Sequence, residues 1–204
     1  SANSIIKNIS TKIDIEYLLT INSCAEMHPL PRVKENEAES IEEMLINMNL
    51  PAPDVWDIDY EDFLRAFKMS LLLQDWTNEI GEDKLLDKYG MAPGELYNKI
   101  TNAEWLLYSA SELAMLLNKR DVATKLNKLR LRVKHGIREE LLKLVKVKGI
   151  GRVRARLLYK NGVKDTLALR KTSDAQLEKI LGKGIAAQIK QGLKEALDKK
   201  MRYV

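Results

Sequence analysis

The chain has 204 residues, enough for one large or two small domains with cores of their own, and its formal charge of +5 is unevenly spread. Residues 1–117 carry 9 Lys and Arg against 21 Asp and Glu, whereas residues 118–204 carry 25 against 8, so only the second part is built to meet a polyanion. The single cysteine, Cys24, excludes an internal disulfide, and with His28 and His135 it falls short of a tetrahedral zinc site.

No apolar run approaches the roughly 20 residues of a membrane span, and the amino end lacks the charged-then-apolar order of a signal peptide. A cytoplasmic location is therefore expected, without a membrane partner. The start at Ser1 rather than Met reads as a piece of something longer, with its first residues a cloning remnant.

Strong helix formers dominate and no stretch alternates apolar with polar for long, so the expected class is all-α. The periodicity predicts helices near 14–26, 36–48, 59–79, 83–89, 94–117 and 121–135, with shorter ones from about 138 onward. Pro29 and Pro31, Pro51 and Pro53, and Gly90 before Pro93 punctuate them. Trp76, among Leu71, Leu72, Leu73 and Ile80, reads as core. Trp56, in the acidic stretch PAPDVWDIDYED, reads as a staple for the helix that begins near Asp59.

The helix opened by Pro93 carries Ile100, Ala103, Leu107, Ala110, Ala114 and Leu117 at steps of three and four, a stripe that faces a core. Trp105 lies off that stripe. Its neighbours at helical spacing are Asn98, Thr101, Asn102, Ser109 and Glu112, a polar row in which an indole has no packing reason to sit. Such a ring is a platform for stacking an unpaired base. The alternative is that another domain, or a missing part of the protein, covers it.

In the basic part, EELLKLVKVKGIGRVRARLLYKNGV reads as a helix over Glu139–Val145, a Lys148-Gly149-Ile150-Gly151 hairpin and a second helix over Arg152–Lys160. This is a helix-hairpin-helix pattern. Both glycines allow positive φ and close backbone approach, Ile150 plugs the gap between helices, and Ala155 keeps their crossing tight. The amides that open the second helix aim at a phosphate with the helix dipole behind them. Arg152 and Arg156 share a face, whereas Arg154 is displaced about 200° from each. The expected phosphate track is therefore Lys148, Arg152 and Arg156, with Arg154 turned to another strand or domain.

A second copy follows in SDAQLEKILGKGIAAQIKQGL. Ser173 caps a helix to Leu181, Gly182-Lys183-Gly184 makes the hairpin, and the last helix runs from Ile185 to about Lys199. Lys183 stands where a plug belongs and no arginine follows. The second hairpin is thus expected to be mainly structural, with Lys183 and Lys190 as auxiliary phosphate contacts. The expected organisation is a helical bundle over 1–136, with 1–12 as a linker, then a tandem helix-hairpin-helix domain over 137–204.

The runs DWTNEIGEDKLLDKYGMAPGELYNKITNAEWLLYSASELA and LRLRVKHGIREELLKLVKVKGIGRVRARLLY, with the earlier DIEYLLTINSCAEMHPLPRV, resemble the carboxy-terminal part of the archaeal Hjm-type DNA helicases. These are superfamily-two motors related to the helicase half of polymerase theta. The resemblance covers almost the whole chain. It implies a Sec63-like helical ratchet domain followed by the helix-hairpin-helix domain, with the motor upstream. It also implies that Trp105 is the ratchet's base-stacking residue. Where the family often has an arginine two turns earlier, this chain has Asn98 with Lys99 beside it. The run at Arg152, Arg154 and Arg156 resembles the family's strand-gripping motif, which acts as a brake on unwinding.

No GxxxxGK[ST] loop and no acidic motor box is present, so ATP and Mg²⁺ are expected in the motor domains of a parent helicase and not in this chain. The expected function is binding of single-stranded and forked DNA within an ATP-dependent 3′-to-5′ helicase, through Trp105, Asn98, Lys99, Lys148, Gly149, Gly151, Arg152, Arg154, Arg156 and Lys183. The parent's motor domains and replication or repair proteins are further expected partners. Two alternatives are compatible with the same residues. One is a DNA-cleaving or glycosylase-type enzyme with Asp165 as its carboxylate. The other is a protein-interaction or autoinhibitory scaffold, of this or an RNA helicase, in which the acidic segments 35–43 and 54–62 bind partners or dock on the basic part.

Overall fold

The computed structural model describes residues 14–201, and side chains to Leu193. The expected linker over 1–12 lies outside the described residues. All the regular structure among the described residues is helical, with no strand. Eleven α-helices succeed one another: α1 (Asp14–Asn22), α2 (Glu35–Asn47), α3 (Tyr60–Thr77), α4 (Glu82–Tyr89), α5 (Pro93–Leu116), α6 (Arg120–His135), α7 (Leu142–Val145), α8 (Arg152–Lys160), α9 (Thr166–Lys171), α10 (Asp174–Leu181) and α11 (Lys183–Met201).

The chain divides into two compact units, residues 1–134 and 135–204. The charge division does not coincide with that boundary. All of α6 but His135 belongs to the first unit and carries cations, so residues 1–134 hold 16 Lys and Arg against 22 Asp and Glu.

In the first unit α1 lies against α3 and α5, and α3 also receives α2 and α4. The core joins Leu18, Phe67, Leu72, Leu73, Leu85, Leu96, Leu107 and Leu126, all fully buried. Trp76 is buried as expected, and its indole N–H donates to the Val133 carbonyl at 2.7 Å, tying α3 to α6. Its hydrogen bond is thereby kept inside the core.

Trp56 overturns the staple reading: it is 92% exposed, beside exposed Val55 and Ile58. The local reason is a turn built by aspartates. Asp57 Oδ2 accepts from the Asp54 amide at 3.0 Å and Asp54 Oδ1 accepts from the Trp56 amide at 3.1 Å, so the backbone is fixed without the ring.

The first predicted helix, to 26, stops at Asn22. Ser23 Oγ and Cys24 Sγ bond back to the Leu19 and Thr20 carbonyls, and a 3₁₀ turn follows over Ala25–Met27. Short polar side chains compete with the backbone there. Likewise the first hairpin helix begins as a 3₁₀ turn over Glu139–Leu141 before α7.

One buried ion pair clamps α2 to α3. The Lys68 ammonium, only 3% exposed, donates to Glu37 at 2.6 Å and to the Arg32 carbonyl at 2.8 Å. Burial pushes the Glu37 carboxyl up, but the hydrogen bonds from Lys68 and the Lys34 amide, with both lysine charges, hold it below its ordinary 4.5. Glu37 therefore binds fewer protons folded than unfolded. Its stabilisation is complete above about pH 4.5 and is lost as pH falls through the lowered value. Glu37→Gln should cost about 2 kcal/mol at pH 7 and flatten the loss of Tm with acidification below pH 4.5, measured by thermal melts across pH.

Candidate nucleic-acid interface

α5 buries Leu96, Ile100, Ala103, Leu107 and Ala114, while Ala110 is half-buried and Leu117, at the helix C-cap, is exposed. That stripe turns Trp105 outward, 55% exposed. The polar residues around it are satisfied locally: Thr101 and Ser109 bond to the Tyr97 and Trp105 carbonyls one turn back, and Asn102 reaches the Glu26 carbonyl at 2.9 Å. Asn98 and Glu112 are exposed on the same side.

Lys99 cannot serve as the cation beside the indole. It is 5% exposed, and its ammonium donates to the Met27 and Pro29 carbonyls, the latter at 2.6 Å. Burial holds its pKa below the usual lysine value, against a smaller upward pull from Glu95. Its job is to satisfy carbonyls where the 3₁₀ turn ends.

The cations near Trp105 come instead from α6. Glu104, the preceding residue, accepts from Lys134 at 2.9 Å and Arg130 at 3.3 Å, and the Arg130 guanidinium sits 5.5 Å from the centre of the Tyr108 ring. The sequence signal was the run LRLRVKH. Its alternating cations do not reveal which of them face α5; packing of Leu126, Leu129 and Val133 decides that.

In the second unit the hairpin forms. Ile150 and Ala155 are buried, and Lys148, Gly149 and Gly151 are exposed. Only Gly149, at φ +88, uses the left-handed region; Gly151 is extended at φ −93 and ψ −173. A Cβ built on Gly151 would meet nothing within 4 Å. No side chain caps α8, whereas Asp165 and Ser173 cap α9 and α10 at 2.8 and 3.3 Å. The first turn of α8 is thus the one of these three left without a capping side chain, which suits it to an anion.

The arginines are more committed than their spacing suggests. Arg154 donates to the Gly149 carbonyl at 2.6 Å and so braces the hairpin rather than another strand. Arg156 pairs with Glu140 at 2.9 Å and lies over the Tyr159 ring, which sequence reasoning missed because Glu140 is 16 residues away. Arg152 is half-buried.

The second hairpin is tighter than expected. Gly182, at φ +84, is the sole residue between α10 and α11, so Lys183 and Gly184 belong to the helix. Lys183 is exposed on that first turn. Lys190, expected as an auxiliary phosphate contact, is engaged within the unit: its ammonium bonds the Thr172 carbonyl at 2.5 Å and pairs with Asp174. Asp165 is likewise a helix cap and not a poised carboxylate, and no group of three metal-ligating side chains occurs among the described residues.

The profile of the family described as archaeal helicase, domain 4, matches residues 15–136. The chain belongs to this archaeal helicase family. The chain is 41% identical over 151 residues to the ATP-dependent DNA helicase Hel308 of Pyrococcus abyssi, covering 72% of this chain and 21% of that protein. It is 40% identical over 153 residues to Hel308 of Pyrococcus horikoshii, covering 73% and 21%. With Hel308 of Methanocaldococcus jannaschii it shares 30% identity over 184 residues, covering 90% of this chain and 15% of that protein. The chain therefore spans about a fifth of the length of the first two helicases. The domain 4 match ends at residue 136, so it takes in α5 and α6 but not the hairpin. Among the described residues no helix is long and apolar enough to cross a membrane.

The two hairpin glycines should respond differently to substitution. Gly149→Val forces a β-branched residue to φ +88 and should cost about 2 kcal/mol, whereas Gly151→Ala should cost less than about 0.5 kcal/mol. Urea melts of the two variants check this.

Proposed function

We propose that this chain is the DNA-handling carboxy-terminal part of an ATP-dependent 3′-to-5′ helicase, and that it binds single-stranded DNA, and forked DNA through the same strand, without base-sequence preference. ATP and Mg²⁺ chemistry then belongs to the motor domains of that parent helicase. The observation that carries the reading is Trp105: an indole more than half exposed, on a helix whose other face is fully used by the core.

Stacking on an aromatic face tolerates any base, which suits a protein that must pass every sequence. The bare first turn of α8, with exposed Lys148 and Lys183 in the same unit, supplies sequence-independent phosphate contacts. Arg152 joins that track, while Arg154 and Arg156 support it by bracing the hairpin. A gripping or braking role for the arginine run is thus assigned to the hairpin they hold rigid. Asn98 is left as a polar neighbour to the strand.

Fluorescence anisotropy of labelled single-stranded DNA, forked DNA, duplex and RNA, each titrated with salt, tests this. Trp105→Ala should weaken single-strand binding by about 1 to 3 kcal/mol with an unchanged salt slope. Lys148→Ala with Gly151→Ala should reduce the log-log slope by about 0.7 for each single-strand phosphate lost. Equal slopes for wild type and this double variant would remove the hairpin from the phosphate track, and an undiminished affinity of Trp105→Ala would remove the stacking face.

A further inference from the structure

Three residues beyond Trp105 on α5, Tyr108 is 47% exposed, and its hydroxyl has no hydrogen bond among the described residues. A core tyrosine would bury its ring and a surface-anchoring one would bond its oxygen; Tyr108 does neither. One side of the ring is occupied by Arg130, which Glu104 pins in place at 3.3 Å and whose Nε is buried without a partner. Three residues along a helix advance about 4.5 Å and turn about 60° short of a full circle. That advance is close to the ~3.4 Å separating successive nucleotides along one strand of a duplex. The cations Arg130 and Lys134 lie on the Tyr108 side of the indole, whereas Glu112 lies one turn beyond Tyr108 on α5 and is exposed.

We propose that Tyr108, backed by Arg130, is a second base-stacking position, so that α5 takes two neighbouring nucleotides of a single strand on Trp105 and Tyr108 while α6 attracts their phosphates. The proposal rests on the single-strand reading above. A guanidinium on one face of a phenol ring leaves the other face for a base, and Glu104 holds that guanidinium in place. Arg130 thus supplies, beside Tyr108, a positive charge that exposed Asn98 and buried Lys99 do not supply before the indole.

The test compares Trp105→Leu, Tyr108→Leu and Tyr108→Phe of the full 204-residue chain for binding of oligothymidine and of blunt duplex. Tyr108→Leu should weaken oligothymidine binding about tenfold, equivalent to about 1.4 kcal/mol, leave blunt-duplex binding unchanged, and keep the melting temperature near that of wild type. Tyr108→Phe should stay within about twofold of wild type, because the hydroxyl has no part. Should Tyr108→Leu fail to fold, photocrosslinking of the wild-type chain to 5-iodouracil-substituted single strands decides, with adducts expected at both Trp105 and Tyr108. A folded Tyr108→Leu of wild-type affinity, adducts at Trp105 alone, or a large loss in Tyr108→Phe overturns the second position and leaves the first standing. Wild-type affinity in both leucine variants overturns the stacking reading itself.

Discussion

The candidate interface depends on the rotation of one helix. Leu96, Ile100, Ala103, Leu107 and Ala114 of α5 are almost wholly withdrawn from water, and burial on that scale, worth about 1.5 to 3 kcal/mol for each large side chain, leaves α5 one way to face. A turn of the helix that hid Trp105 would lift that stripe out of the core. The indole is exposed because the opposite face is needed elsewhere, and the site inherits its rigidity from the packing.

The same core sets the charge around the ring. α6 is amphipathic, and sinking Val122, Leu126, Leu129 and Val133 into the bundle brings Arg130 and Lys134 to Glu104. The first unit is acidic by count, yet the exposed face of Trp105 and Tyr108 is bordered by two cations sharing one carboxylate. Net charge of a segment is therefore a poor guide to the field at one of its faces, since exposed charges more than a Debye length of about 10 Å apart are largely screened from each other.

In the second unit the division of labour runs between backbone and side chains. The fold uses carboxylate and hydroxyl caps on α9 and α10 but puts glycine at the start of α8, where sterics do not require it. Arg154 and Arg156 are drawn inward to the Gly149 carbonyl and to Glu140, so the positive charge in the sequence run partly serves to hold the loop that presents the amides. A rigid loop loses less freedom on meeting a ligand than a mobile one.

The all-helical class, the helix ends at Gly90, Pro93 and Ser173, the plug at Ile150 and the outward turn of Trp105 could be read from sequence, because period, capping and steric exclusion act within a few residues. The burial of Lys99, the exposure of Trp56, the engagement of Arg156 with Glu140 and of Lys190 with Thr172, and the approach of Arg130 to Tyr108 were decided only by the tertiary structure. A long side chain reaches whichever carbonyl or carboxylate the packing brings near. That neighbour stands tens of residues away for Lys99 and Arg130, and it has no signature in the local pattern.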